Sequence, residues 1–143
     1  MQLRTFELER DYPAVIALWQ TAGPGIHVSA SDSWSELSRK LERDPDLFLV
    51  AIEQDNIVGT VLGGFDGRRG MVYHLAVAQA WRGRGLGSAL MDELEARLKA
   101  RGCRKAYLMV ASENPDVREF YQRLGWEVMD VFPMGKEFDD QAR

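Results

Sequence analysis

The positions of the apolar residues predict short elements of two kinds. Stretches that are continuously apolar, or that alternate apolar with polar residues, indicate strands. We expect strands at residues 2–8, 47–52, 57–63, 71–77 and 106–111, and two more at 126–132 and 134–138. Aspartate-asparagine and aspartate-glycine pairs separate the second, third and fourth of these stretches, so we expect hairpins there.

Four segments show the spacing of an amphipathic helix. The longest is 87–101, where leucines recur at every fourth position and a glycine ends the pattern: Leu86, Leu90, Leu94, Leu98 and Gly102. The other helices are expected at 11–19 with Asp11 as its cap, at 33–43, and from Asn114 to Leu124. The order β-α-α-β-β-β-α-β-α-β predicts an α+β, or mixed α/β, fold. No linker or repeat divides the chain, so we expect one domain over residues 1–143.

Composition narrows the class of protein. Hydrophobic residues make up 45% of the 143 residues, which is ordinary for a globular domain, and no apolar run is long enough to span a membrane. A single cysteine, Cys103, and two histidines make an internal disulfide or a metal site unexpected, and they suit a cytoplasmic protein. The net charge of −4 argues against a nucleic-acid partner and is compatible with a cationic substrate.

The segment with the clearest chemistry joins the fourth predicted strand to the long helix. Its sequence is Arg82-Gly83-Arg84-Gly85-Leu86-Gly87-Ser88. The glycines let the backbone approach a ligand closely, and the helix start presents unpaired N–H groups at the positive end of the helix dipole. These features predict a pyrophosphate site. A Walker loop would need Gly-Lys-Ser/Thr, and a dinucleotide fingerprint would follow the first strand of a parallel unit, so neither alternative fits.

Two motifs resemble those of the GCN5-related N-acetyltransferase superfamily. The run Arg82-x-x-Gly85-x-Gly87 is similar to the family's Arg/Gln-x-x-Gly-x-Gly/Ala motif, and it lies between the fourth strand and the third helix as it does there. The stretch Glu113-Asn114-Pro115, followed by Phe120-Tyr121 and Gly125-Trp126, resembles the family's Glu-Asn-x-x-Ala-x-x-Phe-Tyr-x-x-x-Gly-Phe. The resemblance covers nearly the whole chain and is closest over residues 47–132.

The resemblance implies a central, twisted and mostly antiparallel sheet of about six to seven strands with about four helices. The fourth and fifth strands would splay apart, and acetyl-CoA, the co-substrate, would lie in the gap. Its contacts would come from the backbone of Leu75 and Val77, from the loop residues Arg82, Gly83, Arg84, Gly85, Gly87 and Ser88, and from Asn114. Tyr121 would be catalytic, as the acid that protonates the departing thiolate. No metal is implied.

The resemblance leaves the general base open. Family members carry a glutamate in the fourth or the fifth strand, and the corresponding positions here hold Met71 and Met109, which cannot accept a proton. His74, Glu113 and an ordered water are the alternatives, and His74 also suits a purely structural role. A lysine amine has a pKa of about 10.4 and an α-amine of about 8, so the missing carboxylate favours an acceptor of low pKa.

We therefore expect an N-acetyltransferase that moves the acetyl group of acetyl-CoA to a primary amine by direct attack in a ternary complex. The acceptor is a small molecule or a peptide, and residues 21–30 carry no motif that selects between them. The alternative is a non-catalytic acyl-CoA-binding or sensor domain, which the two methionines favour. A homodimer is compatible with the sequence if the last strands are exposed, and no membrane partner is expected.

Overall fold

The computed structural model describes residues 1–23, 25–111 and 115–138, and its strands form one sheet in chain order. The strands are β1 (Gln2–Thr5), β2 (Phe48–Glu53), β3 (Asn56–Phe65), β4 (Gly70–Val77) and β5 (Ala106–Leu108). The helices are α1 (Leu8–Thr21), α2 (Trp34–Arg43), α3 (Leu86–Ala100) and α4 (Pro115–Arg123). Strands β1 to β4 pair antiparallel, whereas β5 runs parallel to β4. The predicted α+β class, the four helices and the mostly antiparallel sheet are confirmed.

The number of strands differs from the prediction. The described residues form five strands instead of six or seven, because residues 126–138 form none although many of them are apolar. Most apolar side chains of this segment are exposed: Val128, Met129, Val131, Phe132, Met134 and Phe138. Apolar residues favour a strand only locally. A strand forms where a neighbouring strand pairs with its backbone hydrogen-bonding groups, and no such pairing is made by this segment within the described part of the chain.

The first helix begins earlier than predicted. Asp11 lies within α1 instead of capping it, and its carboxylate accepts two hydrogen bonds from the Arg4 guanidinium, at 2.7 and 2.8 Å. It also accepts the N–H of Glu7, the residue before the helix, at 2.8 Å. Burial would raise the pKa of Asp11, but the hydrogen bonds from Arg4 and Glu7 outweigh it, so the pKa lies below its usual value. This carboxylate joins β1 to the start of α1.

Helices cover both faces of the sheet. Neighbouring residues of β2 alternate between two apolar clusters, Leu49 packing with α3 and Phe48 packing with α1 and α2. Helix α3 approaches β3 closely because a glycine lies beneath it. A Cβ atom added to Gly63 would be 2.5 Å from Leu94 Cδ1. No helix in the described ranges is long and apolar enough to cross a bilayer.

Strands β4 and β5 stay together for three residue pairs. These are Gly70–Ala106, Met71–Tyr107 and Val72–Leu108. Strand β4 continues to Val77, whereas β5 ends at Leu108 instead of reaching the predicted end at residue 111. The two strands therefore separate toward the C-terminal end of β4, which confirms the predicted splay. The crossover between these parallel strands contains α3, so that helix begins at the open end of the gap.

A buried carboxylate ties α2 to the sheet and to the end of α3. Asp44 accepts hydrogen bonds from Lys40 at 2.5 Å, from Arg101 at 2.8 Å and from the Phe65 N–H at 3.3 Å. Burial would raise the pKa of Asp44. The hydrogen bond and charge of Lys40, together with the Phe65 N–H and Arg101, lower the pKa of this carboxyl below its usual value. The folded state therefore favours the charged form.

We predict that Asp44→Asn lowers the free energy of unfolding by about 2 kcal/mol at pH 7, because Lys40 and Arg101 lose the negative charge that they share. The pKa of Asp44 is depressed in the folded state, so its contribution is present above the unfolded pKa and is lost as the pH falls through the folded pKa. Urea unfolding of both proteins at pH 7 and in acid tests this. The difference should shrink in acid, and an equal difference at both pH values would contradict an ionic origin.

Candidate active site

A cleft of about 680 Å³ opens where β4 and β5 separate. One wall is β4 from Met71 to Val77, and the opposite wall is the chain from Leu108 to Ala111. The glycine segment before α3 lines the same cleft, as do Phe120 and Tyr121 from α4. The loop after α1 contributes Ala22, Gly23, Gly25 and Ile26. The cleft thus brings together the segments that the sequence assigns to cofactor binding.

The backbone of β4 presents one edge to this cleft. The Ala78 N–H bonds to the Val58 carbonyl at 2.8 Å, toward β3. Successive residues of a strand direct their N–H groups to opposite edges. The N–H of Val77, and that of Leu75 two residues earlier, therefore face away from β3 and toward the cleft. Both of these predicted cofactor-binding residues line it.

The glycines before α3 leave an open cradle. Gly83 and Gly85 have φ angles of 76° and 84°, which residues with side chains rarely adopt, and a Cβ atom added to either would meet nothing within 4 Å. The first hydrogen bond of the helix joins the Ala89 N–H to the Gly85 carbonyl at 3.0 Å. The N–H groups of Gly87 and Ser88 precede it and have no partner within the helix. No acidic residue lies in this first turn, so the geometry suits an anion.

The two arginines of this loop have different partners. Arg82 donates to the Val77 carbonyl at 3.1 Å and to the Ala22 carbonyl at 2.7 Å, so its side chain joins the end of β4 to the loop after α1. The Arg84 guanidinium lies over the Trp81 ring, 4.6 Å from its centroid. Arg82 lines the cleft, whereas Arg84 lies outside the lining. The predicted contact of Arg84 with a cofactor therefore rests on its backbone.

Tyr121 reaches the cleft from α4. Its side chain is 9% exposed, and its ring packs against Phe120 and Trp126 with centroid distances of 5.2 and 6.3 Å. Burial raises the pKa of Tyr121 to about 12. The phenol is therefore protonated at neutral pH and is available as a donor. Glu113 and Asn114, the other predicted residues of this motif, lie outside the described residues.

His74 lies in the β4 wall and is held through both its ring and its backbone. Its Nε2 atom is 3.0 and 3.2 Å from the two carboxylate oxygens of Asp32, which is 4% exposed. The Thr60 hydroxyl donates to the His74 carbonyl at 3.0 Å, and the Trp19 indole N–H donates to Thr60 Oγ1 at 2.8 Å. The indole also packs on the imidazole, with 4.4 Å between centroids. Met71 and Met109, by contrast, bring only thioethers to the cleft.

Asp32 is a site residue that no sequence motif predicted. The structure places it at the end of a 3₁₀ turn, Ala30–Asp32, in which the Ser29 and Asp32 side chains form a reciprocal capping box. A serine followed three residues later by an acidic residue was the signal available for this turn. That signal describes local geometry only. It carries no information about a contact with His74, which is 42 residues further along the chain.

The model of the acetyltransferase (GNAT) family matches residues 7–126 of this chain. The chain belongs to that family. It is 43% identical over 136 residues to Acetyltransferase ECA0875 of Pectobacterium atrosepticum, and the match covers 95% of this chain and 94% of that protein. The GNAT membership inferred from the two motifs is thus confirmed.

Solved structures show the same fold. Ard1 from Thermoplasma volcanium superposes with a TM-score of 0.77 at 22% identity, covering 90% of this chain and 83% of that one. Rv2747 from Mycobacterium tuberculosis, solved in complex with CoA and NLQ, has a TM-score of 0.74 at 21% identity, covering 94% of this chain and 76% of that one.

Acetyl-CoA is the co-substrate of this GNAT acetyltransferase, and the residues of the cleft fit it. The cradle at Gly83 and Gly85 is open, and the adjoining helix start offers unpaired N–H groups to a pyrophosphate. The free edge of β4 offers further N–H groups to an amide-containing arm. Within the described ranges, no group of three or more His, Cys, Asp or Glu side chains is placed to hold a metal ion.

We predict that Gly85→Ala weakens acetyl-CoA binding about tenfold, or 1.4 kcal/mol, because the new Cβ enters the cradle and strains its backbone. Gly67→Ala is the matched control, since Gly67 also has a positive φ (100°) in open space but lies in the β3–β4 turn. Each substitution should cost about 1 kcal/mol of folding stability. Calorimetric titration should show a raised Kd for the Gly85 variant alone, and equal Kd values in all three proteins would contradict the cradle.

Proposed function

We propose that this protein transfers the acetyl group of acetyl-CoA to the nitrogen of a primary amine, by direct attack within a ternary complex. The observation that carries the proposal is the single cleft in which the glycine cradle, the open edge of β4 and the Tyr121 phenol meet. Membership of the family supports acetyl transfer. The loop after α1 also lines the cleft, which supports room for a second substrate beside the cofactor; its lining residues are Ala22, Gly23, Gly25 and Ile26.

In this proposal the chain holds the cofactor mainly through its backbone. The N–H groups of Leu75 and Val77 contact the pantetheine arm, because they face the cleft from the unpaired edge of β4. The pyrophosphate lies against the loop residues Arg82, Gly83, Arg84, Gly85, Gly87 and Ser88. Asn114 stays a predicted contact outside the described residues. Bound acetyl-CoA supplies an acetyl group activated as a thioester.

Tyr121 is the proposed donor to the departing sulfur. Burial raises the pKa of Tyr121 to about 12, which makes the phenol a weaker acid than it is in water. The same burial disfavours a thiolate in the cleft, so the sulfur is also more basic there. Burial thus raises the pKa of the phenol and that of the thiol together, which keeps proton transfer between them favourable. The phenol holds its proton until charge develops on the sulfur.

We propose an α-amine, or another amine of low pKa, as the acceptor. His74 brings an imidazole to the cleft, where the methionines exclude a carboxylate. The attacking amine must be neutral, and near pH 7 an α-amine of pKa about 8 is neutral in a far larger fraction than a lysine amine of pKa about 10.4, so it needs much less help from a base. The acceptor is a small molecule or a peptide that presents such an amine to the cleft in the cytoplasm.

We also infer that two copies of the chain associate through the C-terminal segment. Residues 128–138 expose the apolar side chains named above, while β5 lies at the edge of the sheet with one side unpaired in the described structure. A second copy would supply the missing neighbour. Sedimentation analysis should give the mass of two chains, and a single-chain mass at high concentration would contradict the pairing.

The first test is the release of free CoA from acetyl-CoA by the purified protein with a panel of amines. Peptides with free α-amines and amino acids should support release, whereas polyamines and peptides with only lysine amines should support less. Preference for lysine amines would contradict the proposed acceptor class. Binding of acetyl-CoA, seen as a raised melting temperature, without release for any amine would favour the sensor function instead.

We predict that Tyr121→Phe lowers kcat about 100-fold with little change in the Kd of acetyl-CoA, because only the donated proton is lost. Tyr107→Phe is the matched control, since Tyr107 lies on β5 outside the residues that line the cleft. The raised pKa of about 12 for Tyr121 also means that kcat of the wild type should not fall through tyrosine ionisation as the pH passes the ordinary phenol value near 10. Unchanged kcat in Tyr121→Phe would remove the phenol from the reaction.

A further inference from the structure

An imidazole and a buried carboxylate are paired at the wall of the cleft. The His74 side chain is 21% exposed and lines the cleft, whereas the Asp32 side chain that contacts it is 4% exposed. The carboxylate is fixed in turn by the Ser29 N–H at 3.1 Å and by the 3₁₀ turn that it caps. The Tyr12 hydroxyl donates to the Asp32 carbonyl at 3.0 Å, which ties the turn to α1. The carboxylate is thus positioned before any substrate arrives.

The pairing sets which ring nitrogen is free. An ionised carboxylate accepts hydrogen bonds and does not donate them, so Nε2 of His74 carries the ring proton when the imidazole is neutral. The Nδ1 atom then holds the lone pair. No hydrogen-bond partner for Nδ1 is found among the residues that the structure describes. The imidazole is therefore held in the tautomer that leaves one nitrogen ready to accept a proton.

The backbone of β4 is distorted at this residue. Between the pairs Leu62–Tyr73 and Thr60–Ala76, β4 has one residue more than β3, and His74 has a φ angle of 46° within this bulge. A left-handed conformation is uncommon for a residue with a side chain, and such strain persists where the surroundings hold it. Here the Thr60 hydroxyl holds it by donating to the His74 carbonyl, and the Trp19 indole N–H donates in turn to Thr60 Oγ1. Bulges of this kind turn a side chain to a new direction beside an active site.

His74 and Tyr121 approach the cleft from opposite faces of the sheet. Trp19, which packs on the imidazole, belongs to the apolar cluster beneath α1 and α2. Tyr121 belongs to the cluster beneath α3. The loop after α1 lies on the side of His74, where an acceptor would enter. Transfer of an acetyl group from a thiol to an amine needs a proton acceptor beside the amine and a proton donor beside the sulfur. The two sides of the cleft provide these two groups.

We propose that His74 is the general base of the acetyl transfer and that Asp32 is the residue that positions it, a proposal that rests on the amine-acetylating function proposed above. Nδ1 accepts the proton that the amine loses as its nitrogen bonds to the acetyl carbon. The C–S bond breaks with its electron pair on sulfur, which takes the proton of Tyr121. Loss of the imidazolium proton to solvent and return of a proton to the phenolate restore both side chains, so atoms and charge balance.

Few other titratable groups face this pair. From α1 and β3 the packed neighbours are Trp19 and Thr60, which do not titrate in the working range. Two phenols are near: Tyr12 of α1, whose hydroxyl donates to the Asp32 carbonyl, and Tyr73, which precedes His74 on β4. The remaining charged or acidic groups that line the same cleft are Arg82, Asp116, Tyr121 and Arg123. Asp32 alone among the described charged groups contacts the imidazole. The free amine also titrates, so the pair is tested in the pH profile of kcat at saturating acceptor and not in that of kcat/KM.

The kinetic test compares wild type, His74→Gln, Asp32→Asn and Asp55→Asn with the best acceptor of the panel. Asp55 is exposed in the turn between β2 and β3, outside the residues that line the cleft, and serves as the matched control for Asp32→Asn. We expect kcat/KM at pH 7 to fall about 100-fold or more in His74→Gln, by less in Asp32→Asn and not at all in Asp55→Asn. The Kd of acetyl-CoA should stay the same in all four. At saturating acceptor, where the ionisation of the free amine no longer contributes, the acidic limb of the kcat profile should disappear in His74→Gln.

A second measurement needs neither cofactor nor turnover. His27 and His74 are the chain's two histidines, so nitrogen-15 spectra of the imidazoles resolve each ring in the free protein. We expect His74 of the wild type to show the tautomer protonated at Nε2, and Asp32→Asn to lose that preference. Circular dichroism establishes that each variant is folded. If His74→Gln does not fold, the proposal is tested by the His74 tautomer and the pH profile of kcat in Asp32→Asn.

The outcomes separate this proposal from the function on which it rests. Transfer by the wild type together with full kcat/KM and a retained acidic limb in His74→Gln overturns the assignment of the base and leaves the function intact. A His74 ring protonated at Nδ1 in the wild type overturns it as well, because no free lone pair would face an acceptor. Absence of transfer by the wild type to any amine overturns both.

Discussion

The structure depends on a strand that loses its neighbour halfway along. After Val72 the edge of β4 that faces β5 has no strand beside it within the described chain, yet β4 continues for five residues more, to Val77. Backbone N–H and C=O groups in that stretch need partners, because a buried unpaired polar group costs about 1–3 kcal/mol. The side chain of Arg82 satisfies the Val77 carbonyl, and the N–H groups of Leu75 and Val77 stay directed to the cleft. A ligand with carbonyl groups along an extended arm completes this edge as a further strand would.

The parallel pairing of β4 with β5 fixes where the anion site lies. Parallel neighbours need a crossover, and the chain uses α3 for it, so the helix must begin at the end of β4 where the strands have already separated. The unpaired N–H groups of the helix start and the unpaired edge of the strand therefore open into one cleft. Gly83 and Gly85 make the turn between them with positive φ angles. The parallel pairing of β4 with β5 thus creates both parts of the cofactor site, the start of α3 and the open edge of β4.

Much of this could be predicted from the sequence, for physical reasons that also explain the failures. The leucine repeat of α3 and the glycine run before it are local signals, and the structure places both as predicted. The apolar residues of 126–138 are a local signal too, but a strand needs a partner that lies elsewhere in the chain. Asp11 has the chemistry of a helix cap, yet the Arg4 guanidinium on β1 attracts it into a pair while the helix starts before it. For both Asp11 and residues 126–138 the sequence indicated the chemistry of the side chains correctly. It could not show whether a partner for them lies elsewhere in the chain.

The pair of His74 and Asp32 is the strongest instance of this limit, and its charge explains why the fold keeps a carboxylate nearly out of water. A lone imidazole that accepts a proton becomes a cation, and a cation in a half-buried wall is disfavoured by the loss of solvent. In the proposed reaction the Asp32 carboxylate lies 3.0 Å from the imidazole that takes up the proton, so the cation forms beside an acceptor that is already in place. The Ser29 N–H and the imidazole contact that carboxylate in the free protein. A glutamate at either methionine position could take up the proton as well, but it would replace part of the apolar lining that Met71 and Met109 supply.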